Sequence, residues 1–340
     1  MRRLALIILL INTAFASKQV VNIYNWTGYM PPQVIKEFRD KTGIIVNLST
    51  FASNDELFAK LATEGSGYDV IFPSANFVTR MSKLGMLEKI DNKKINGKDH
   101  LNPAFLNKPF DPNNTYSLPY LWGITGIIIN KKIYPNLYIN RWSDLWNKNL
   151  YNQILILNEM KEPFEIALRV LGLPTNSQNP KHIEAAYKKL LGLMPNIKLF
   201  NITAPQSILA NEDVGIGVVY NGDAFVAMQK NPRLKFIFPE DGAFIWIDNV
   251  AIPKNAPHLK NAYKFINFIL QPKIAKQIAE FSGYSSPNLK AIELLPKNIQ
   301  TSNVLYPPKH IIDQASFEND LGAANALYEH YWFLLKLMES

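Results

Sequence analysis

Val20-Val21-Asn22-Ile23-Tyr24-Asn25-Trp26-Thr27-Gly28-Tyr29-Met30-Pro31-Pro32 is the stretch from which the fold is read. β-Branched and aromatic residues over 20–24 predict a strand. An aromatic pair, Trp26 and Tyr29, then brackets a hydroxyl and a glycine, and two prolines cut the segment off. That is the composition of a binding loop delivered by the end of a strand. Residues 33–41 follow as a helix ended at Gly43. The same order recurs downstream. Residues 44–50 alternate as a strand, and 55–63 form a helix with an N-cap at Ser53 or Asn54. Residues 69–72 make a short buried strand running into Pro73-Ser74, and 78–84 a helix closed by Gly85. Such alternation predicts an α/β fold with a largely parallel sheet. Ligands of such sheets sit beyond the carboxyl ends of the strands, so Trp26 and Ser74 fall on one rim.

Further along, Asp111-Pro112-Asn113-Asn114 is a turn. Residues 116–122 and 124–129 are strand-like, with Gly123 and Gly126 marking a bend or a close approach. The chain is expected to cross between lobes here. A second α/β run follows: a strand over 154–157, helices over 163–171 and 183–191, a strand over 214–220 and a helix starting at Asp223. A strand over 244–252 carries the chain back, and amphipathic helices occupy 262–270 and 272–281. Two crossings imply two discontinuous lobes, 17–123 with 247–292 and 124–246 with 293–340, and a ligand cleft between them.

The first residues fit an export signal. Arg2 and Arg3 supply the positive start, 4–11 are apolar but too few to span a bilayer, and Ala14-Phe15-Ala16 is a small-x-small cleavage site. Cleavage after Ala16 and a periplasmic location are expected. The sequence has no cysteine, which excludes disulfides, thiolate metal sites and thiol nucleophiles. With 47% hydrophobic residues in 340, the chain can bury a sizeable core without them. Net charge is formally +8. Lysines such as Lys36, Lys60, Lys131 and Lys264 are scattered, with no long basic run, which argues for solvated faces and against a nucleic-acid partner.

Catalytic motifs are lacking. The five histidines show no metal-ligand spacing, Gly65-Ser66-Gly67 is no nucleophile elbow, and Gly215 and Gly217 lie in an apolar strand with no following lysine. Neither a metal nor a cofactor is expected. Glu159 and Glu162 could form the carboxylate pair of an exported glycan hydrolase. They could equally be helix N-terminal acids favoured by the macrodipole. Trp26, Tyr29, Tyr220, Trp246 and Tyr284 fall at strand ends or turns, where an aromatic either joins the core or walls a pocket. Trp246 and Asp248 are more specific. Positions i and i+2 of a strand share a face, and an aromatic plane beside a carboxylate suits an alkylammonium.

The chain resembles the periplasmic polyamine-binding proteins of ABC importers, of the spermidine/putrescine-preferential type. The likeness spans residues 20–335. It rests on Tyr24-Asn25-Trp26-Thr27, Asn107-Lys108-Pro109-Phe110-Asp111-Pro112-Asn113-Asn114, Ser143-Asp144-Leu145-Trp146, Ile183-Glu184-Ala185-Ala186-Tyr187, Leu193-Met194-Pro195-Asn196, and Gly283-Tyr284 with Pro287-Asn288-Leu289. The resemblance implies a two-lobed periplasmic-binding-protein fold of type II with no catalysed reaction. It also implies a polyamine ligand, spermidine or putrescine, an inner-membrane ABC permease as partner, and a monomer. By the same resemblance Trp26, Tyr29 and Trp246 wall the methylene chain and Tyr284 completes the cleft. Thr27 and Ser74 add hydroxyls, and Glu159, Glu162 and Asp248 meet the ammonium groups. Four positions depart from the family pattern. Asn76 stands where a tyrosine is usual and Tyr220 where a tryptophan is usual. Glu159 replaces an aspartate, and Glu318 replaces a glutamine and becomes a possible fourth acid. A receptor of the same fold for a sugar or amino acid is the competing binding reading. The Trp246/Asp248 pair and the lack of an arginine among these residues speak against it.

Overall fold

The computed structural model describes residues 19–64 and 67–339. The expected signal segment 1–16 lies outside the described residues. The first five elements follow the predicted order: β1 (Val20–Trp26), α1 (Pro32–Thr42), β2 (Ile45–Phe51), α2 (Asn54–Glu64) and β3 (Val70–Ile71), then α3 (Ala75–Lys83). Local chemistry sets their ends. Pro32 opens α1 and Gly43, at φ 70°, closes it with an N–H bonded to the Arg39 carbonyl. Ser53 Oγ accepts from the Glu56 N–H at 3.2 Å, so Ser53 caps α2.

The middle of the chain supplies β4 (Ser117–Asn130), β5 (Ile154–Ile156), α4 (Lys161–Val170), α5 (Pro180–Leu191), β6 (Ile197–Phe200), α6 (Pro205–Ala210), β7 (Ile216–Tyr220) and α7 (Asn221–Lys230). After β8 (Leu234–Ile237) and β9 (Phe244–Ala251) come α8 (Leu259–Ile269), α9 (Pro272–Ser282) and β10 (Ser316–Phe317). A C-terminal helix covers Asn325–Lys336.

The strand path is β2-β1-β3-β9-β4-β7-β5-β6, with β10 on β9 and β8 on β4. Each wing is parallel, β2-β1-β3 on one side and β7-β5-β6 on the other. The centre is not: β9 runs antiparallel to both β3 and β4, and β4 antiparallel to β7. The expected largely parallel sheet is therefore corrected to a mixed one. The reason is topological. β4 leaves the first wing for the second and β9 returns, so two neighbouring crossings must run in opposite directions.

β4 is one unbroken strand of 14 residues, buried throughout, not two strands with a bend. Gly123 and Gly126 serve close approach. A Cβ at Gly123 would fall 2.3 Å from Trp246 Cζ2, and one at Gly126 2.4 Å from Phe236 Cζ. Apolar clusters flank the central pair. One gathers Val21, Phe38, Val250, Phe265 and Ile278 under the first wing. Another gathers Ile127, Trp142, Ile156, Phe164 and Val218 under the second. A third, with Phe51, Trp122, Ile124, Ile245 and Ile247, runs along the crossing strands themselves. The lobes are thus two cores on one continuous sheet, joined by β4 and β9.

Candidate functional site

The carboxyl end of β1 places Trp26, and its indole N–H donates to the Phe72 carbonyl at 2.9 Å, which sets the ring plane. Gly28, at φ 82°, turns the chain so that Tyr29 N–H reaches the Trp26 carbonyl at 3.3 Å. Tyr29 thereby returns over Trp26, ring centroids 6.0 Å apart. Thr27 is exposed and its hydroxyl donates to the Phe51 carbonyl at 3.2 Å. Only its lone pairs remain for anything in the cleft.

From Tyr29 a chain of rings crosses between lobes. Tyr29 meets Tyr284 at 5.6 Å, Tyr284 meets Trp246 edge-on at 5.0 Å, and Trp246 meets Tyr220 edge-on at 5.4 Å. These edge-to-face geometries suit the ring quadrupoles. Trp246 is 7% exposed, and its indole N–H has no partner among the described residues. It is a core residue by burial, and it stands in the ring ladder with a free indole N–H.

Carboxylates are hydrogen-bonded along this ladder. Asp248, 3% exposed, accepts from Ser74 Oγ at 2.5 Å, and the Tyr29 hydroxyl stands beside it. Ser74 is held in turn by Asn54, whose Nδ2 donates to Ser74 Oγ at 3.0 Å and whose Oδ1 accepts from Ser74 N–H at 3.0 Å. Asn54 is a supporting residue that sequence reasoning considered only as a cap. Burial pushes the Asp248 carboxyl up to about 7, against the pull of its two hydroxyl donors, and the charge of Glu318 adds to the rise. Glu162, in the first turn of α4, accepts from the Tyr220 hydroxyl at 2.9 Å. It is therefore a helix N-terminal acid that also bonds a ring of the ladder. Glu159 lies just before α4, reached by solvent yet enclosed by protein on most sides. Both carboxyls are pushed well above the ordinary range, first by burial in the cleft walls and then by neighbouring acids, Glu162 and Glu318 for Glu159 and Glu318 for Glu162.

Asp223 was read from the sequence only as the start of a helix. The structure sets it against the Tyr284 hydroxyl, and burial pushes its carboxyl up to about 7. Gly222 permits this contact, since a Cβ there would lie 2.6 Å from Tyr284 Cδ1 and 2.8 Å from the Gly283 carbonyl. Asp223 and Asp248 both act on the hydroxyls of Tyr29 and Tyr284, so they flank one end of the ladder. Glu159 and Glu162 mark the other, at Tyr220.

Two expected residues remain. Asn76 is half-buried in the first turn of α3, with Oδ1 unpartnered among the described residues. Glu318 follows β10, with Oε2 3.8 Å from Lys161 Nζ. A cation already present beside this acid was not foreseen. A hollow of about 500 Å³ lined by Tyr24, Glu56, Lys60 and Tyr68 opens beside α2, off the ring ladder. Among the described residues no group of His, Asp and Glu side chains is arranged to hold a metal ion, and no helix is long and apolar enough to cross a membrane.

Residues 33–305 match the family model described as bacterial extracellular solute-binding protein. The chain is 44% identical to the spermidine/putrescine-binding periplasmic protein of Salmonella typhimurium, over 92% of this chain and 90% of that one. It is 38% identical to spermidine/putrescine-binding periplasmic protein 1 of Haemophilus influenzae, over 94% and 90%. Among solved structures, a putative spermidine/putrescine ABC transporter protein of Listeria monocytogenes superposes with a TM-score of 0.87 at 34% identity, covering 94% of this chain and 99% of that one. The two-lobed architecture and these matches have one meaning: the chain belongs to the bacterial extracellular solute-binding protein family.

Proposed function

We propose that the chain captures a linear polyamine, spermidine or putrescine, between its lobes and delivers it to an inner-membrane ABC permease. The carrying observation is the ladder Trp26–Tyr29–Tyr284–Trp246–Tyr220 with carboxylates bonded at both ends, Asp248 and Asp223 at one and Glu162, with Glu159 beside it, at the other. Ring faces cover methylenes and attract cations. The acids meet terminal ammonium groups.

Magnitudes favour a cation. A carboxylate–ammonium pair at contact gains about 4 kcal/mol gross at an effective dielectric of 20, much of it offset by desolvation. Micromolar binding needs about 8 kcal/mol in total, within reach of acids at two ends plus aromatic contacts. A neutral sugar would leave buried acids without counter-charge. The chain's own chemistry is thus recognition, with no bond made or broken.

The protein works in this reading as a monomer in the periplasm, after removal of residues 1–16. Its lobes, 17–123 with 247–292 and 124–246 with 293–340, close about β4 and β9 on binding. Calorimetric titration of the purified mature protein with spermidine, putrescine and a neutral sugar tests this. Saturable binding of the amines alone is expected. Binding of the sugar, or of none of the three, would overturn the reading.

A further inference from the structure

Lys161 opens α4 beside Glu162, and its side chain is 12% exposed. Nζ donates to the Asn319 carbonyl at 3.1 Å and lies 3.8 Å from Glu318 Oε2 and 3.9 Å from Glu165 Oε1. Glu165, one helical turn on, is 3% exposed, and its Oε2 has no partner among the described residues. The family likeness gave neither Lys161 nor Glu165 a part in binding.

Glu318 occupies a central place. Its N–H donates to the Ile245 carbonyl at 3.2 Å, which seats it beside Trp246, the ring between Tyr284 and Tyr220, and its charge acts on Glu162 and on Asp248. An acid beside an inner ring is positioned for the inner nitrogen of a triamine. The Lys161 ammonium already stands there, tied to backbone and flanked by two carboxylates.

We infer that Lys161 selects ligand length, its ammonium taking the place of an inner ligand nitrogen and favouring an amine charged only at its two ends. This rests on the polyamine reading above. With Lys161 in place, Glu318 and Glu165 are neutralised from within, and a middle ammonium meets like charge. A diamine spans the two acidic ends without that encounter.

Lys161→Met tests the inference, because it keeps the apolar stem and removes the charge. Wild type and variant are each titrated with putrescine and spermidine. The ratio of spermidine to putrescine affinity should rise about tenfold in Lys161→Met, a change of about 1.4 kcal/mol. Lys161→Arg, which keeps the charge, should hold the wild-type ratio. An unchanged ratio, or equal losses for both amines, would make Lys161 a structural counter-ion and overturn the inference alone. A wild type that binds neither amine would overturn the polyamine reading and this inference with it. Should Lys161→Met not fold, the double variant Lys161→Met/Glu165→Gln removes both members of the buried pair and must show the same rise. Failure of that variant to fold as well, by circular dichroism, assigns Lys161 to folding and overturns the inference.

Discussion

Trp246 faces Gly123 directly across the β4–β9 pair, and the indole occupies the space a side chain on Gly123 would need. A ring of the ladder is therefore seated against a crossing strand, and the crossing strand must be bare to seat it. Gly123→Ala should displace the indole, since its Cβ would meet Cζ2 at 2.3 Å and Cε2 at 2.6 Å. We expect a stability loss of about 1–3 kcal/mol by denaturant melting, as for overpacking in a core, together with weakened amine binding. Unaltered affinity in the folded variant would separate the indole from the ligand.

Asp248→Ala should weaken polyamine binding more than removal of any other single acid. Asp248 is buried and fixed by Ser74 and Tyr29 beside Trp246 on one strand face. A loss of about 2–5 kcal/mol is expected by titration calorimetry, the range for truncating one member of a buried charge pair. A smaller loss than for Glu162→Ala would move the principal ammonium site to the other end.

Asp223 and Tyr284 should act as a unit. Asp223→Asn and Tyr284→Phe each remove one side of the same contact. Their combined effect on amine affinity should fall short of the sum by about 0.5–3 kcal/mol in a double-mutant cycle. Strict additivity would mean that the two reach the ligand independently.

Protons should leave when the amine binds. The carboxyls of Asp248 and Asp223 are pushed up to about 7, and those of Glu159, Glu162 and Glu165 also upward, all chiefly by burial. The folded, ligand-free protein therefore holds protons that the unfolded chain gives up near pH 4. The stability linked to these groups is full below that pH and is lost as pH rises through about 7. A cation binds the ionised form, so affinity should climb between about pH 6 and 8. Calorimetry in two buffers of different ionisation enthalpy measures the proton count. Identical heats at neutral pH would show that the acids are already ionised.

Glu318→Gln is expected to reduce spermidine binding more than putrescine binding. The structure pairs Glu318 with Lys161 at 3.8 Å. Its loss leaves the Lys161 charge less compensated where a middle ammonium would stand. Equal losses for the two amines in paired titrations would remove Glu318 from the residues that select ligand length.

Much of this was legible in the chain because it is local. Strand and helix periods over residues 20–84, the Ser53 cap and the Gly43 stop each depend on a few neighbouring residues. Trp246 and Asp248 share a face because side chains alternate with period 2 along any strand. The glycine at 123 announced a close approach, though not what approached it.

Tertiary structure alone decided the rest. Which strands are neighbours follows from the path of the whole sheet, so the antiparallel β4–β9 centre and short strands such as Leu234–Ile237 carry no local signature. Asp223 meets Tyr284, and Lys161 meets Glu318, across long stretches of chain. A charge has no period that foretells its partner. Packing selects that partner, and in this protein it set a helix-start aspartate against Tyr284 and gave Glu318 its own lysine.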